Sequence, residues 1–211
     1  MHEAKLHMEP FPFLEIRGLF SEEEKELIME ELEFFNKDGK MNRPETSGSA
    51  TSPEGELLKE NASLYLDGAY NDPKFSDILN INQKVLSFLE PKGTAYFPEN
   101  PSPSWFFNNT VVGQYNTLIS YYDNGEYYKP HRDAATITAL SWFYRTPKKF
   151  EGGELYFPHY DFTVEVSDEL TLIFPSCIVH EVLPIKMDEE YAGKGYGRYS
   201  MAQLGKGYEA T

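Results

Sequence analysis

Apolar residues are spaced differently in the two parts of the chain, and the change comes near residue 95. In the first part the clearest pattern has the period of an α-helix, whereas in the second part short apolar stretches alternate with turn residues, as in β-strands. This order predicts a mainly β fold with supporting helices (α+β), in which two helices pack on one face of a sheet. We expect a single domain over 1–211, with an N-terminal strand and supporting helices in 1–95 and a sandwich or jelly-roll core in 96–207.

The first predicted helix begins at Ser21, where Glu24 three residues later completes a capping box. Gly39 is its predicted end. Before the helix, 12–19 is predicted to be a strand, and 1–9 is predicted to be a tail. The buried stripe of this helix, which has helical spacing, consists of Ile28, Leu32 and Phe35.

A second helix is predicted to begin after Asp72, an N-cap residue that Pro73 follows at the first helical position. Pro91 is its predicted end. Between the two helices, the polar segment 42–55 has no periodicity and is predicted to be a loop, either a lid over a binding site or simply a mobile connection. The apolar stripe of the second helix consists of Phe75, Ile78, Leu79, Val85, Leu86 and Leu89.

Strands dominate the second part of the chain. Turn signals such as Asp-Asn-Gly at 123–125 and Gly-Gly at 152–153 separate them. Several short strands at this spacing favour a sandwich or a jelly roll. The predicted strands cover 111–122, 136–144, 153–157, 162–166, 170–174, 181–185 and 198–204.

The net charge of −15 bears on the partners that the protein can have. Such a charge repels the phosphates of nucleic acid and an anionic membrane surface, so we expect neither as a partner. It either serves solubility or favours a basic protein or peptide as substrate. The sequence does not indicate an oligomeric state.

Composition also bears on the compartment. Hydrophobic residues make up 40% of the chain and aromatic residues 15%, which indicates a folded globule. The single cysteine excludes an internal disulfide framework and fits a reducing compartment. No apolar run approaches the length of a membrane span, and the N-terminus lacks the apolar core of a signal peptide. We therefore expect a cytoplasmic protein.

Two histidines and one aspartate form the candidate metal site. His131 and Asp133 are two residues apart in a strand-like sequence, and alternate residues of a strand face the same side. His180, 49 residues later, is the third candidate, because the other histidines fall in the N-terminal tail or in a loop. Two histidines and a carboxylate on one face of an octahedral ion form the facial triad of non-haem Fe(II) oxygenases, which leaves three positions open.

Arg198 and Ser200 form a second polar pair, again two residues apart on a predicted strand. The planar guanidinium of an arginine suits a carboxylate, and a neighbouring serine hydroxyl can add a hydrogen bond. A dicarboxylate that is bound to iron at one end needs such an anchor at its other end.

These residues lie within a longer pattern that resembles the Fe(II)/2-oxoglutarate-dependent oxygenases of the prolyl 4-hydroxylase type. The resemblance spans about residues 110–205, half of the chain, and 12–24 is similar to the start of this family's domain. The family fold, a double-stranded β-helix with a cupin-like jelly-roll core, agrees with the predicted strands. The matching motifs, in the family's order, are Tyr122-x-x-Gly125-x-x-Tyr128-x-x-His131-x-Asp133, Phe150-Glu151-Gly152-Gly153-Glu154-Leu155-Tyr156-Phe157-Pro158, Phe174-Pro175-Ser176…His180-Glu181-Val182-x-Pro184 and Arg198-x-Ser200.

The resemblance implies that His131, Asp133 and His180 bind Fe(II), and that Arg198 and Ser200 bind the far carboxylate of 2-oxoglutarate. O2 is then the other cosubstrate, ascorbate is the expected reductant, and succinate and CO2 are coproducts of hydroxylation at an unactivated C–H bond. The aspartate favours hydroxylation, because related halogenases lack this carboxylate. The leading substrate is a prolyl residue of a protein or peptide.

Two features depart from the family pattern. Trp142 stands where the oxygen-sensing prolyl hydroxylases often use a tyrosine to bind the cosubstrate tail. Its indole N–H could replace that hydrogen bond, Tyr122 could make it alone, or Trp142 could be a core residue. The interval between the second histidine and the arginine is also longer than is common in relatives, so Lys186 and Lys194 are the alternative anchors.

Further pocket residues are predicted around Tyr122. Steps of two back along its strand give a polar face, and because the resemblance turns Tyr122 inward, Asn116 and Gln114 are candidate pocket contacts; a face turned to solvent is the alternative. In relatives a tyrosine at the position of Tyr128 lies near the substrate or the iron, and ordinary packing is the alternative. Cys177 is predicted to be a small core residue.

Other functions share parts of this pattern. A 2-oxoglutarate oxygenase could act on another amino-acid side chain or on a small molecule. A non-catalytic, cupin-like metal-binding or sensor module would share the metal site but has no need of Arg198. A zinc hydrolase would require a general base near the metal, and Glu181 should point away because it adjoins His180 on a strand.

Overall fold

The computed structural model describes residues 2–37, 39–47, 51–52, 54–89 and 102–207. The strands of these segments are β1 (Glu3–His7), β2 (Phe13–Arg17), β3 (Ala62–Tyr65), β4 (Val112–Tyr122), β5 (Tyr128–His131), β6 (Ile137–Phe143), β7 (Phe150–Gly152), β8 (Leu155–Phe157), β9 (Phe162–Val164), β10 (Leu170–Pro175), β11 (His180–Val182), β12 (Ile185–Met187) and β13 (Arg198–Gly207). The helices are α1 (Glu22–Lys37), α2 (Pro44–Ser47), α3 (Asp77–Ile81), α4 (Gln83–Leu86) and α5 (Trp105–Asn109).

The strands form two larger antiparallel sheets and one small one. The seven-stranded sheet has the order β1-β2-β10-β6-β13-β4-β3, the four-stranded sheet has the order β5-β11-β8-β9, and β12 pairs with β7. A core of apolar residues lies between the two larger sheets, with Trp142 and Phe174 from the first and Phe157 and Val182 from the second. Two antiparallel sheets packed face to face form a jelly roll, so the predicted fold class is confirmed.

The other face of the seven-stranded sheet carries the helices. The capping box of α1 is confirmed, because the Ser21 N–H donates to Glu24 Oε2 at 2.8 Å and the Glu24 N–H donates to Ser21 Oγ at 3.3 Å. The helix ends at Lys37, and Gly39 follows with a φ of 62°. The second core joins this helix to the back of the sheet and includes Ile28, Leu32, Phe35, Ile173, Tyr199 and Met201.

The second predicted helix is interrupted at Ser76, so the prediction of one continuous helix is wrong. A 3-10 turn over Pro73–Phe75 comes first, and α3 starts again behind it. The Ser76 hydroxyl accepts the Leu79 N–H at 3.0 Å and thereby caps α3. It also donates to Glu31 at 2.7 Å, and Glu31 accepts the Ile78 N–H at 2.8 Å, so a contact with α1 fixes the break.

The break changes which residues of this segment are buried. Phe75 is 72% exposed and Leu86 is only half-buried, in contrast to their predicted place in the stripe. The N-cap role of Asp72 is confirmed, because its side chain accepts the Lys74 N–H at 3.1 Å. Pro91 lies outside the described residues. The stripe positions that are buried as predicted are Ile78, Leu79, Val85 and Leu89.

The predicted N-terminal tail is a strand, so this prediction is also wrong. β1 pairs antiparallel with β2 along its whole length, from Glu3 opposite Arg17 to His7 opposite Phe13. The His7 ring stacks on Phe13 with ring centres 4.5 Å apart. Ala4 and Leu6 alternate with the polar Glu3, Lys5 and His7 and pack against the core on the helix side of the sheet, so the strand has a short apolar face.

Most strands of the second part are confirmed, but one predicted strand is shorter and another is divided. The prediction over 153–157 corresponds to β8 alone, because Gly152 and Gly153, with φ values of 78° and 74°, form the turn that separates β8 from β7, a strand that was not predicted. The prediction over 181–185 crosses Pro184, which separates β11 from β12 in a different sheet. The two strands β3 and β5, which border the candidate site, had no predicted bounds.

Several predictions concern segments that are only partly described. In the predicted loop 42–55, residues 44–47 form α2, whereas 48–50 and 53 lie outside the described residues, and the lid role stays a prediction. The boundary near residue 95 also falls outside them, so the division of the domain stays a prediction. Within the described segments, no helix combines the length and the apolar character that crossing a membrane requires.

Candidate active site

His131, Asp133 and His180 converge at the edge of the four-stranded sheet. In the antiparallel pair of β5 and β11, His131 is the direct partner of His180, so the two imidazoles lie side by side. Asp133 Oδ1 is 3.8 Å from His131 Nε2, and Asp133 Oδ2 is 3.5 Å from His180 Nε2. One potential ligand atom from each residue lies within 4.8 Å of the other two. Nitrogen and oxygen atoms at this spacing can surround one metal ion, and the donor set is that of a facial triad.

Asp133 reaches the cluster from a loop, which differs from the predicted strand geometry. β5 ends at His131, and the Asp133 N–H donates to the Ser176 carbonyl at 3.2 Å. Thr138 Oγ1 donates to Asp133 Oδ2 at 2.6 Å. Because the single hydroxyl proton of Thr138 is used there, Ser176 Oγ must be the donor in its 2.8 Å hydrogen bond to Thr138. This chain of hydrogen bonds orients the carboxylate, as in known metal sites.

The two imidazoles are oriented by the backbone. His131 Nδ1 is 2.9 Å from the Lys129 carbonyl oxygen, and His180 Nδ1 is 2.9 Å from the Ile178 carbonyl oxygen. A carbonyl oxygen only accepts, so both Nδ1 atoms carry the proton and both Nε2 atoms present a lone pair to the cluster. Both histidines therefore have the tautomer that a metal ligand at Nε2 needs.

Aromatic rings shield the histidines from solvent. The Tyr128 ring stacks on His131 with the ring centres 3.4 Å apart and an interplanar angle of 6°. Phe174 meets His180 edge-on at 5.1 Å. Burial lowers the pKa of His131, and the neighbouring His180 lowers it further. A neutral imidazole is the form that binds a metal.

Arg198 is a buried cation without a matching anion. It opens β13 beside Tyr122 of β4, and it is 1% exposed. Within the described segments, neither its Nε nor its Nη1 has a hydrogen-bond partner. Burial lowers the pKa of Arg198 to about 10, so the guanidinium remains charged at neutral pH. A buried charge whose donors are unmatched destabilises the folded state by roughly several kcal/mol unless an anion binds to it.

Trp142 supplies a third unmatched donor beside Arg198. It is fully buried, and its indole N–H has no partner in the part of the chain that the structure describes. Its ring centre is 6.0 Å from Arg198 Cζ. Ser200, on the same face of β13 as Arg198, is the direct partner of Trp142 on β6. An indole and a guanidinium can only donate, so the group that fits between them is an acceptor such as a carboxylate.

Tyr122 connects this anion pocket to the metal cluster. Arg198 Cζ lies over the Tyr122 ring at 4.8 Å, the geometry of a cation–π contact. Burial raises the pKa of Tyr122 to about 12; the charge of Arg198 opposes this rise and the charge of Asp133 adds to it. The buried Tyr122 phenol thus lies close enough to the guanidinium and to the triad carboxylate for both charges to act on it.

The remaining predicted pocket residues lie along β4. Asn116 is half-buried on the same strand face as Tyr122, and its strand partner Leu204 also pairs with Thr138, which holds Asp133. Gln114 is exposed at the outer end of the strand. The polar face is therefore buried at Tyr122 and opens towards solvent at Gln114, and the roles of Asn116 and Gln114 as contacts stay predictions.

The structure does not bring the alternative candidates to the site. Lys186 is exposed on β12, and the exposed Lys194 donates to the Glu190 carbonyl at 2.7 Å. Cys177 is exposed in the turn after β10, so its predicted place in the core is wrong. Glu181 pairs with Tyr156 of β8, and as the residue next to His180 it belongs to the opposite strand face.

Two functional candidates were missed in the sequence. Lys59 is buried within 5.8 Å of the Tyr128 ring centre, and Tyr65 is 53% exposed but close enough for the Asp133 charge to raise its pKa further, beyond the larger effect of burial. Both lie in 57–65, a segment without periodicity that pairs with β5 at one end and β4 at the other. The local sequence around Lys59, which includes Glu60 and Asn61, gives no signal of its burial.

Comparison with known proteins identifies the fold. No protein-family model and no curated protein matches the sequence. The structure is similar to a prolyl-4-hydroxylase from Pseudomonas putida, with a TM-score of 0.60, 15% identity and 93% of each chain covered. It is also similar to OsALKBH1, with a TM-score of 0.57, 13% identity and coverage of 95% of this chain and 99% of that chain.

A third similar structure includes the cosubstrate. It is the viral collagen prolyl hydroxylase of Paramecium Bursaria Chlorella virus-1 in its 2OG complex, with a TM-score of 0.53, 13% identity and coverage of 92% of this chain and 96% of that chain. At these identities the similarity shows the fold alone. The chain thus has the double-stranded β-helix fold of the solved prolyl hydroxylases, as the resemblance of its motifs to the Fe(II)/2-oxoglutarate oxygenases predicts.

Proposed function

We propose that this protein is an Fe(II)- and 2-oxoglutarate-dependent dioxygenase that hydroxylates an unactivated C–H bond. The observation that carries the proposal is the buried Arg198, whose Nε and Nη1 have no partner among the described residues and whose guanidinium contacts Tyr122, the phenol on which the charge of the triad carboxylate also acts. A metal-binding module would need only the cluster. A dicarboxylate that binds a metal at one end and a guanidinium at the other needs both sites.

Each residue has a definite task in this proposal. The triad would hold Fe(II) through the two Nε2 atoms and the Asp133 carboxylate. Arg198 would bind the distal carboxylate of 2-oxoglutarate through its Nε and Nη1, and Trp142 and Ser200 would add hydrogen bonds. Iron with 2-oxoglutarate and O2 supplies the oxidising power for hydroxylation and releases succinate and CO2, with ascorbate as the expected reductant.

A prolyl residue of a protein or peptide is the proposed substrate. Two of the similar structures are prolyl hydroxylases. In this chain the Tyr128 ring stacks on His131, and Tyr65 is 53% exposed and near enough to the triad for the Asp133 charge to add to the rise that burial causes in its pKa. The faces of aromatic rings suit the C–H bonds of a proline ring, and the partial exposure of Tyr65 leaves access for a peptide. The net charge of −15 favours a peptide with basic flanking residues.

The test of the reaction type is succinate formation from 2-oxoglutarate with Fe(II), ascorbate and O2. We expect slow turnover without a substrate, and its loss together with bound iron in Asp133→Ala. Arg132→Ala is the matched control, because Arg132 lies between the ligands in sequence but is exposed. Iron-dependent turnover that survives in Asp133→Ala would exclude this triad, and bound metal without any succinate would favour the non-catalytic module.

The test of the substrate uses pairs of peptides that differ only by proline against alanine. We expect the proline member alone to stimulate succinate formation. We also expect its mass to increase by that of one oxygen atom. A second pair, with lysine or glutamate beside the proline, tests the preference for basic flanks. Stimulation by a small molecule or another side chain, with none by any proline peptide, would keep the dioxygenase and replace the prolyl substrate.

A further inference from the structure

Lys59 is a second buried cation of the cavity, and the proposed reaction does not yet use it. The residue is 5% exposed, and its Nζ donates to the buried Ser63 Oγ at 2.9 Å. No carboxylate of a described residue lies within 4.0 Å of this ammonium group. An ammonium group carries three donors, so one neutral hydroxyl leaves it unmatched. Burial accordingly lowers the pKa of Lys59.

The contacts of Lys59 place its ammonium group near the aromatic ring that stacks on His131. Its backbone pairs with Tyr128 of β5, and four residues later Ser63 pairs with Ser120 of β4. The segment between them therefore closes the gap between the two large sheets at the metal end of the cavity. Lys59 Nζ is 5.8 Å from the centre of the Tyr128 ring, whose face stacks on His131.

Lys59 and Arg198 serve different parts of the cavity. Lys59 pairs with Tyr128, whose ring stacks on His131, whereas Arg198 pairs with Tyr122 and lies 6.0 Å from the centre of the Trp142 ring. Lys59 is therefore on the side of the site that carries β5 and the triad, and Arg198 is on the seven-stranded sheet. A carboxylate bound by Arg198 would leave Lys59 without a partner.

We propose that Lys59 is an anion-binding residue of the active site that pairs with a carboxylate held beside the metal triad. The assignment rests on the proposed function for the identity of the cavity. Two carboxylates can reach this position: the metal-binding carboxylate of 2-oxoglutarate, and a carboxylate of the primary substrate, such as an acidic side chain or a free C-terminus next to the reacting residue.

The test compares Lys59→Met with Lys129→Met. Methionine keeps the length and apolar character of the lysine stem, so the buried position stays filled. Lys129 follows Tyr128 on the same strand, and its side chain is 43% exposed and pairs with Glu56 at 3.7 Å, so its removal changes the net charge equally outside the cavity. Thermal unfolding checks the fold of both variants, and Lys59→Arg restores the positive charge.

The first measurement is calorimetric titration of 2-oxoglutarate into the Fe(II)-loaded proteins without O2. If the cosubstrate supplies the carboxylate, Lys59→Met raises the Kd about tenfold to a hundredfold, Lys59→Arg recovers part of the affinity, and Lys129→Met matches the wild type. If the substrate supplies it, the Kd stays within twofold. In that case the wild type has a higher KM for an amidated peptide than for the same peptide with a free carboxylate. The ratio of these two KM values then falls to about one in Lys59→Met. If neither quantity changes, Lys59 has only a structural role and the proposal is wrong.

A metal-free measurement separates this proposal from the proposed function. Succinate is the probe, and the thermal shift that it produces is compared among the wild type, Lys59→Met and Lys129→Met. One outcome is that the wild type forms no succinate from 2-oxoglutarate, while added succinate stabilises the wild type and Lys129→Met but does not stabilise Lys59→Met. This outcome would support the anion-binding role of Lys59 and contradict the proposed dioxygenase activity. The opposite outcome is that the wild type turns over 2-oxoglutarate normally while Lys59→Met binds cosubstrate and substrate as the wild type does. This outcome would support the dioxygenase activity and contradict the anion-binding role of Lys59.

Discussion

Replacing Arg198 by methionine should separate cosubstrate binding from folding. The Arg198 side chain packs so closely against Gly153 that a Cβ atom on Gly153 would lie only 3.2 Å from Arg198 Cδ. Methionine keeps an apolar side chain at this contact and removes the guanidinium. Two donors, Nε and Nη1, are unmatched in the cavity. Each would make a charge-assisted hydrogen bond of about 1.5–3 kcal/mol to the carboxylate of 2-oxoglutarate. Their loss amounts to about 3–6 kcal/mol, or a rise in Kd of about 10²- to 10⁴-fold.

The same substitution should not destabilise the protein that lacks cosubstrate. Arg198 is 1% exposed and lacks an ion-pair partner in the described segments, so methionine removes a desolvated charge at the cost of the cation–π contact with Tyr122. We expect the free energy of unfolding without 2-oxoglutarate to stay the same or to rise by about 1 kcal/mol. The increase in Tm that saturating 2-oxoglutarate produces in the wild type should disappear in the variant.

Calorimetry and thermal unfolding of the iron-loaded protein without O2 give both quantities. Arg145→Met is the matched control, because Arg145 pairs with Glu33 at 2.5 Å on the helix side of the protein. Its loss should lower stability slightly and leave the Kd unchanged. If Arg198→Met binds iron and keeps the affinity for 2-oxoglutarate within threefold, Arg198 is not the anchor.

Three further predictions address the pocket, the helix layer and the loop between β7 and β8. Trp142→Phe should raise the Kd for 2-oxoglutarate about tenfold to a hundredfold, because one hydrogen bond to an ionised carboxylate is lost, and an unchanged Kd would mean that the indole is only a core residue. Lys25→Met should lower the free energy of unfolding by about 1–2 kcal/mol in denaturant titrations. The Lys25 Nζ is 2.6 Å from both Glu22 and Glu169 and 3.5 Å from Asp168. Without this ammonium group the three carboxylates would repel each other. Unchanged stability would show that hydration replaces the ion pairs. Gly152→Ala should cost about 2–4 kcal/mol, because φ is 78° and the added Cβ would collide with the Pro184 carbonyl, and a stable variant with normal cosubstrate binding would contradict this geometry.

The metal cluster could be predicted from the sequence although part of the geometric reasoning was wrong. His131 and Asp133 were expected on one strand face, but β5 ends at His131 and Asp133 lies in the following loop. The carboxylate reaches the cluster because its backbone binds Ser176 and Thr138 binds its side chain. The sequence motif identifies the three ligand residues, but it gives no information on the contacts with Ser176 and Thr138 that position Asp133.

Elements that depend on distant partners were not predictable from local patterns. β1 takes its hydrogen bonds from the backbone of β2, and only Ala4 and Leu6 of its five residues are apolar, so its alternating pattern is too short to stand out. The interruption of the second helix depends on Ser76 and its contact with Glu31, which lies 45 residues earlier. In contrast, α1 was predicted correctly, because its capping box and its apolar stripe are both local.

Lys59 shows the same limit in the active site. Nothing in its neighbouring sequence marks it as different from an exposed lysine. Its burial follows from two pairings, with Tyr128 on one sheet and, through Ser63, with β4 on the other. A residue whose environment is created by two sheets can be recognised only when both sheets are in place.

The two buried cations together indicate what the cavity binds. A chain with a net charge of −15 has many carboxylates, yet the described residues place none within 4.0 Å of Lys59 or Arg198. Folding must therefore bear the desolvation of both charges, which natural sequences rarely leave uncompensated. Compensation by a bound anion stabilises only the complex, so the cavity favours a ligand with more than one carboxylate over a neutral one. The triad offers three ligand atoms for one metal ion, and the two buried cations offer donors that suit carboxylates, so we infer that they are complementary parts of one binding site.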